Sequence, residues 1–402
     1  MRVRHGALLA AVLGIVLAGS NAVAAAPPPG DAQGWFQDGY GPGNGGYNPD
    51  EHWIVPERLR RLAPRWSIPA TGQQVCAAQS APVVAGGRLF LTGRESLGAY
   101  DASTGTKIWS YPYLDPMDTY TPMLAVSGGT LLAATSGCQS VSDPSGMLLA
   151  FDAATGKLLW RADTDAPNAT LIVARGVAVV GGEDAGWMET TAFQITTGKQ
   201  LWKRPWSMSA DRVAAGGTVL LTDNNREFSE IGTSAVDIGT GQVRWRTNRI
   251  WSVRAADRTG RWFLVDDSAR ALLKVDAGSG TVAWSQPGLD GPLAVDDRQV
   301  YATRTVTAGT TVTAELLGLA LDSGRVAWRR GGFASLLRPV VAGGVLYALT
   351  PKKRLDTLNP ATGAGLAFST VDKPLDHPVI SGDWLYLTDG GRLRGYTVPR
   401  PG

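Results

Sequence analysis

Ala150-Phe151-Asp152-Ala153-Ala154-Thr155-Gly156-Lys157-Leu158-Leu159-Trp160 is the most complete copy of a phrase that returns along the whole chain. Trp109, Trp160, Trp202, Trp245, Trp284 and Trp328 each end a copy, and Trp66 stands one period earlier. The successive tryptophan spacings are 43, 51, 42, 43, 39 and 44 residues. A period of about 40–45 residues belongs to four-stranded propeller blades rather than to shorter helical or leucine-rich repeats. Locally the phrase reads as a hairpin, with one strand ending at Asp, a Thr-Gly turn, and a second strand closing on Trp. Gly105, Gly156, Gly198, Gly241, Gly280, Gly324 and Gly363 occupy the turn position, where a tight reversal demands positive φ.

A second hairpin precedes each phrase. Val83-Val84-Ala85-Gly86-Gly87-Arg88-Leu89-Phe90-Leu91 is echoed around Gly128-Gly129, Arg175-Gly176, Gly216-Gly217, Thr259-Gly260, Asp296-Asp297, Gly343-Gly344 and Gly382-Asp383. Eight first hairpins against seven glycine phrases leave the last blade one strand short, while the strand around Trp66 has no hairpin before it. The economical solution is an all-β, eight-bladed propeller of four-stranded antiparallel blades, closed by the N-terminal strand so that no sheet edge stays open. The copies are degenerate at Gln194, Ala320 and Ala367, which a stacked repeat tolerates because neighbouring blades supply the burial. The tryptophans are therefore expected to be scaffold rather than a cofactor box.

The chain has 402 residues, 44% hydrophobic and 18% charged, with 50 Gly and 24 Pro, which fits a large core and many turns. Arg2 and Arg4, the apolar run Ala7 to Ala18 and the small-residue site Ala22-Val23-Ala24 predict a signal peptide over 1–24. A lead-in segment without regular structure is expected over 25–58 and the propeller over 59–402. Leu17-Ala18-Gly19-Ser20 resembles a lipoprotein box with serine where the lipidated cysteine would stand, so the expectation is an exported monomer without a lipid anchor. The net charge of +3 includes Arg2 and Arg4, and no basic run remains without them, which argues against nucleic-acid partners and membrane embedding. Cys76 and Cys138 are an even pair in an exported chain and are expected to form a disulfide.

The phrase Ala-x-Asp-x-x-Thr-Gly-x-x-x-Trp resembles the tryptophan-docking repeat of the pyrroloquinoline-quinone-type propellers, over roughly residues 60 to 402. That family includes quinoprotein alcohol dehydrogenases and BamB, an outer-membrane-assembly lipoprotein. Trp35-Phe36-Gln37-Asp38-Gly39 and Gly46-Tyr47-Asn48-Pro49-Asp50-Glu51 resemble the opening segment of such propellers. The resemblance implies the fold. It implies function only as a choice, because the family holds both cofactor enzymes and proteins that bind no quinone. The adjacent-cysteine disulfide of many of its dehydrogenases is missing, since Cys76 and Cys138 lie 62 residues apart.

Counting back from each first turn places Ala81, Met123, Thr170, Asp211, Arg254, Gly291, Arg338 and His377 at the channel mouth, with Arg212 alongside. Three arginines and a histidine there suit an anion such as a carboxylated cofactor or an acidic peptide, the alternative being solvated residues paired with Asp211. The acidic pairs, Asp266-Asp267 and Asp296-Asp297 among them, lack the alternation of a calcium loop and read as turns; no metal site is expected. Asn168-Ala169-Thr170 matches a glycosylation sequon and is assigned no role. The leading expectation is an exported, non-catalytic propeller that binds a protein, peptide or cell-envelope component on its loop face. Two alternatives stand beside it: a quinone-dependent dehydrogenase with PQQ and calcium, and a secreted sensor for a small anion.

Overall fold

The computed structural model describes residues 34–400 apart from 70–80, 94, 114–118, 138–145, 185–186, 290, 309, 334–336, 351–353, 371–377 and 390. Among the described residues eight sheets of antiparallel blade strands follow one another along the chain, the seventh extended by the short strand Tyr47–Asn48, which pairs in parallel with Val341 and Ala342. Blade 1 runs from Val83–Ala85 to Lys107–Pro112, blade 2 from Met123–Ser127 to Leu158–Thr164, and blade 3 from Thr170–Ala174 to Gln200–Pro205. Blade 4 spans Ser207–Ala215 to Val243–Thr247, blade 5 Trp251–Ala256 to Val282–Pro287, blade 6 Leu293–Val295 to Val326–Phe333, and blade 7 Val340–Ala342 to Gly365–Thr370. Blade 8 has three late strands, Val379–Ser381, Trp384–Asp389 and Arg392–Thr397, and takes its fourth from Ala63–Pro69. Trp66 faces Gly395 across that last pairing, so the ring closes as the hairpin count requires.

Inner and outer strands read differently because they meet different surroundings. Inner strands such as Val83–Ala85 and Val379–Ser381 are buried on both faces, whereas the outer strand Lys107–Pro112 alternates exposed with half-buried positions. The apolar clusters are interfaces between blades; one joins Leu132 and Leu148 of blade 2 to Val173, Val180 and Phe193 of blade 3.

The phrase is a docking device. Asp101 Oδ1 accepts the Ser103 and Thr104 amides at 2.9 Å each and both of their hydroxyls, which fixes the turn, and Asp152 Oδ1 accepts the Ala154 and Thr155 amides and the Thr155 hydroxyl. The turn glycine then serves the neighbouring blade. A Cβ added at Gly156 would stand 2.6 Å from the Trp109 ring, and at Gly363 2.5 Å from Trp328, so each ring lies flat on the next blade's turn. Each indole also donates to the carbonyl after the next blade's Asp position: Trp160 to Ile195 at 2.8 Å, Trp202 to Ile238 at 2.8 Å, Trp245 to Ala277 at 3.0 Å and Trp328 to Pro360 at 2.8 Å. The glycine thus serves a positive φ and a close approach at once, and the docking glycines share φ values of 68–74°.

Two seams depart from this pattern. At the closing seam the Trp66 ring covers Gly105, but its buried indole nitrogen has no hydrogen-bond partner among the described residues; the Tyr386 hydroxyl reaches the Ala102 carbonyl instead, at 3.2 Å. Between blades 7 and 8 the docking tryptophan is missing, because Ala367 stands in its place. The lead-in supplies a substitute: Trp53 Nε1 donates to Val398 O at 3.1 Å, the carbonyl that the absent indole would have used. A 3-10 turn over Pro56–Arg61 follows and packs on the outer strand of blade 7.

Candidate functional site

The segment 34–48 winds once past the inner strand of every blade. Trp35 exchanges two backbone bonds with Val84, and Phe36 O accepts from Val126 N. The Gln37 amide imitates a strand partner, donating to Val173 O and accepting from Val173 N at 3.1 Å each. Pro42, Gly43, Gly45 and Gly46 accept from Ala214, Ala256, Val295 and Val341 at 2.7–2.8 Å, and Asn48 Nδ2 donates to Ile380 O at 2.7 Å. Each contact falls near the turn that ends the inner strand, so this strap floors the axial channel at its turn side. Close approach dictates its composition: a Cβ on Gly43 would lie 2.9 Å from the Ala256 carbonyl.

Above the strap lies a cavity of about 470 Å³, walled by the starts of the inner strands at Ala81, Met123, Leu171, Arg212, Pro292 and Arg338, with Asp38 of the strap in its lining. Asp211 and Arg212 both approach this mouth because the strand Ser207–Ala215 breaks register between Ser209 and Ala214. Arg338 Nη1 bonds Asn44 Oδ1 at 2.6 Å and lies 3.4 Å from Asp38 Oδ1. Arg212 Nη1 stands 3.6 Å from the other Asp38 oxygen. Arg254 is bound to Asp266 and to the Gly291 carbonyl. Burial pushes the Asp211 carboxyl up from its ordinary value, while its bond from the Arg212 amide and the charges of Arg212, Arg338 and Arg254 pull it down.

The register count thus brings Asp211, Arg212, Arg254 and Arg338 to one mouth, with Ala81 and Met123 beside them. It missed Asp38, which bridges two of the arginines; the only sequence signal was a carboxylate inside a glycine-rich lead-in. His377, Cys76 and Cys138 lie outside the described residues. Asn168 of the sequon is buried, its amide donated to the Thr135 and Met147 carbonyls at 3.2 and 3.0 Å. The acidic pairs serve turns and strands: Asp296 Oδ1 caps Arg298 and Gln299, and Asp267 Oδ1 caps Ala269 and Ala271. Among the described residues no helix is long and apolar enough to cross a membrane.

Comparison with known proteins bears on this geometry. The chain is 27% identical over 317 residues to the outer membrane protein assembly factor BamB of Bordetella pertussis, covering 71% of this chain and 74% of that protein. It is 29% identical over 164 residues to the BamB of Burkholderia pseudomallei, spanning 40% of that protein. It is also 27% identical over 157 residues to the quinoprotein alcohol dehydrogenase PedH of Pseudomonas putida, spanning 26% of it. The solved quinohemoprotein alcohol dehydrogenase from Comamonas testosteroni superposes with a TM-score of 0.69 at 14% identity over 92% of this chain and 82% of that one, a likeness of fold. The family model described as outer membrane protein assembly factor BamB matches residues 63–247 and 188–396, so the chain belongs to that family of pyrroloquinoline-quinone-like repeat propellers.

Proposed function

We propose that the chain is an exported, non-catalytic propeller whose mouth face binds a protein, peptide or envelope component, as an assembly factor of the BamB type. The observation that carries this reading is coverage. The sequence match extends over 74% of the Bordetella pertussis BamB and 40% of the Burkholderia pseudomallei one, but over 26% of PedH, so the sequence likeness covers less of the dehydrogenase. The mouth supports it, since its charged groups are arranged as ion pairs around Asp38 rather than as a nucleophile and base. Electrostatically paired surfaces of this kind set register and specificity for a macromolecular partner.

The alternative, a quinone-dependent dehydrogenase, is favoured by the similarity to PedH. A flat carboxylated quinone needs an open stacking face and cations to clamp it. Trp35, the aromatic residue in the cavity lining, is fully buried. Arg338 and Arg254 are already held by Asn44 and Asp266, and Arg212 faces Asp38. As arranged, these residues do not fit the cofactor. The discriminating experiment has two arms. Outer-membrane protein levels are measured in a Bordetella pertussis strain whose BamB is replaced by this chain, and dye reduction is measured with added quinone and calcium over an alcohol panel. Restored assembly without turnover is expected; saturable alcohol-dependent turnover would overturn the proposal. Calorimetric titration with small polycarboxylates tests the third reading, a small-anion sensor, which needs Arg212, Arg254 and Arg338 to release their present partners.

A further inference from the structure

Trp206 and Phe228 adopt φ of 58° and 60°, a left-handed conformation that bulky side chains avoid. The two rings are also neighbours. Trp206, which joins blade 3 to blade 4, meets Phe228 edge to face with centroids 5.5 Å apart and planes at 72°; on its other side Trp187 lies 5.5 Å away at 62°. Phe228 is 40% exposed, and Trp187 and Trp206 are half-buried. Backbone strain in two adjacent aromatics that still leave ring surface in solvent is the opposite of what core packing selects, and such outliers point toward binding.

Each ring is held by a separate set of bonds. Trp187 Nε1 donates to Glu189 at 3.0 Å, and Lys203 grips the same carboxylate oxygen at 2.8 Å. Trp206 N donates to Met188 O and its carbonyl accepts from Asn224 N. Asn225 Oδ1 accepts the Glu227 and Ser229 amides at 3.0 and 2.9 Å, which stiffens the loop that carries Phe228. The walls are therefore built before any ligand arrives, which removes most of the ordering cost of binding. The loop 225–231 bears two exposed carboxylates, Glu227 and Glu230, against one guanidinium, Arg226. Among the described residues neither carboxylate makes an ion pair.

We infer that the corner formed by Trp187, Trp206 and Phe228 is a binding site for a small soluble organic cation, an alkyl- or quaternary ammonium group. The exposed Phe228 ring and the half-buried Trp187 and Trp206 rings beside it give a cation aromatic surface to rest on, and neighbouring carboxylates add long-range attraction. The site lies on the mouth face but shares no residue with the lining of the channel cavity, and it stands whether or not the chain is an assembly factor.

The test uses tryptophan fluorescence of the whole folded protein, titrated with choline and with its neutral isostere 3,3-dimethyl-1-butanol. Choline is expected to quench saturably with a dissociation constant of about 1 mM, and the isostere to bind about ten-fold more weakly or not at all. Phe228→Gly relieves the left-handed strain and removes one wall, so it is expected to melt no lower than wild type while losing choline binding about ten-fold. Glu230→Gln, a surface change that leaves the rings in place, is expected to weaken choline binding about three-fold without moving the isostere. Absence of saturable quenching in the wild type, or equal binding of choline and the isostere, overturns the site. So does a Phe228→Gly protein that melts lower yet binds as before, because the ring would then be a packing element.

Discussion

Trp53→Ala removes the indole that the lead-in inserts at the seam between blades 7 and 8, and the loss can be estimated. The Trp53 ring packs against the cluster that joins blades 7, 8 and 1, with the Arg58 guanidinium 3.9 Å from its centroid. A tryptophan that buries 150–250 Å² recovers about 25 cal/mol per Å²; counting half of that for a half-buried ring gives roughly 2–3 kcal/mol. The indole bond to Val398 adds about 1 kcal/mol, for a total near 3–4 kcal/mol. Trp53→Phe keeps most of the area and loses the bond, so it should cost about 1–2 kcal/mol. Urea unfolding followed by circular dichroism measures both. Hydrogen exchange should locate the damage in the strands Gly365–Thr370 and Arg392–Thr397 and spare blades 2 to 5. Restoring a docking tryptophan from the blade itself, in the double variant Trp53→Ala with Ala367→Trp, should return part of the loss. If Trp53→Ala unfolds like wild type, or if Phe costs as much as Ala, the seam does not depend on that indole and the reasoning is wrong.

Gly198→Ala should cost about 2–4 kcal/mol, because the new Cβ would stand 2.7 Å from the Trp160 ring at a φ of 70°; Gly87→Ala, at a similar φ with open space around it, should cost about 1 kcal/mol, and equal losses would remove the ring from the explanation. Removing residues 34–48 takes the strap from all eight inner strands, and calorimetry should show a broader transition at lower temperature; an unchanged endotherm would mean that the ring holds without its floor. Hydrogen bonds from Ser103 and Thr104 hold the Asp101 carboxyl below its ordinary value, and those from Thr155 hold Asp152 there. A depressed folded-state value stabilises the protein above the unfolded carboxylate range and fades as pH falls through the depressed one. Asp152→Asn should therefore lower stability at pH 7 and flatten the further loss on acidification, so that variant and wild type converge below about pH 4.

The blades were legible because their information is local. Asp152, Thr155 and Gly156 build a turn within five residues, and the tryptophan that reads that turn recurs one period away, so period and chemistry gave the same answer. Ring closure was legible by counting, since an unpaired first strand and a blade lacking its last have one economical solution. The strap was not legible. Its bonds to the blades are made largely by backbone groups, joining Gly46 to Val341 or Gly43 to Ala256, and backbone pairing leaves little side-chain signature. What the chain does display is spacing: Gly43, Gly45 and Gly46 keep Cβ atoms away from the passing strands. Trp53 was hidden for the opposite reason, as a docking residue that sits outside any docking phrase. The aromatic corner escaped because it depends on φ values at Trp206 and Phe228 that no residue pattern announces.

The strap also explains why the mouth arginines do not make a simple anion trap. An isolated group of three guanidiniums beside a cavity would repel itself, and the fold answers with carboxylates from different elements: Asp266 from blade 5 for Arg254, and Asp38 from the strap between Arg212 and Arg338. The last two separations, 3.6 and 3.4 Å, are longer than a charge-assisted bond at its optimum. A partner carboxylate that approached either guanidinium at about 2.8 Å would gain what Asp38 forgoes, but would leave Asp38 beside it as a like charge. On the proposed reading of the mouth as a binding face, Asp38 would therefore disfavour a plain carboxylate beside these arginines. Asp38→Asn should then strengthen the binding of a plain polycarboxylate such as citrate about ten-fold. Calorimetric titration of both proteins with citrate reads the difference, and equal affinities would show that the strap carboxylate takes no part in what the mouth admits.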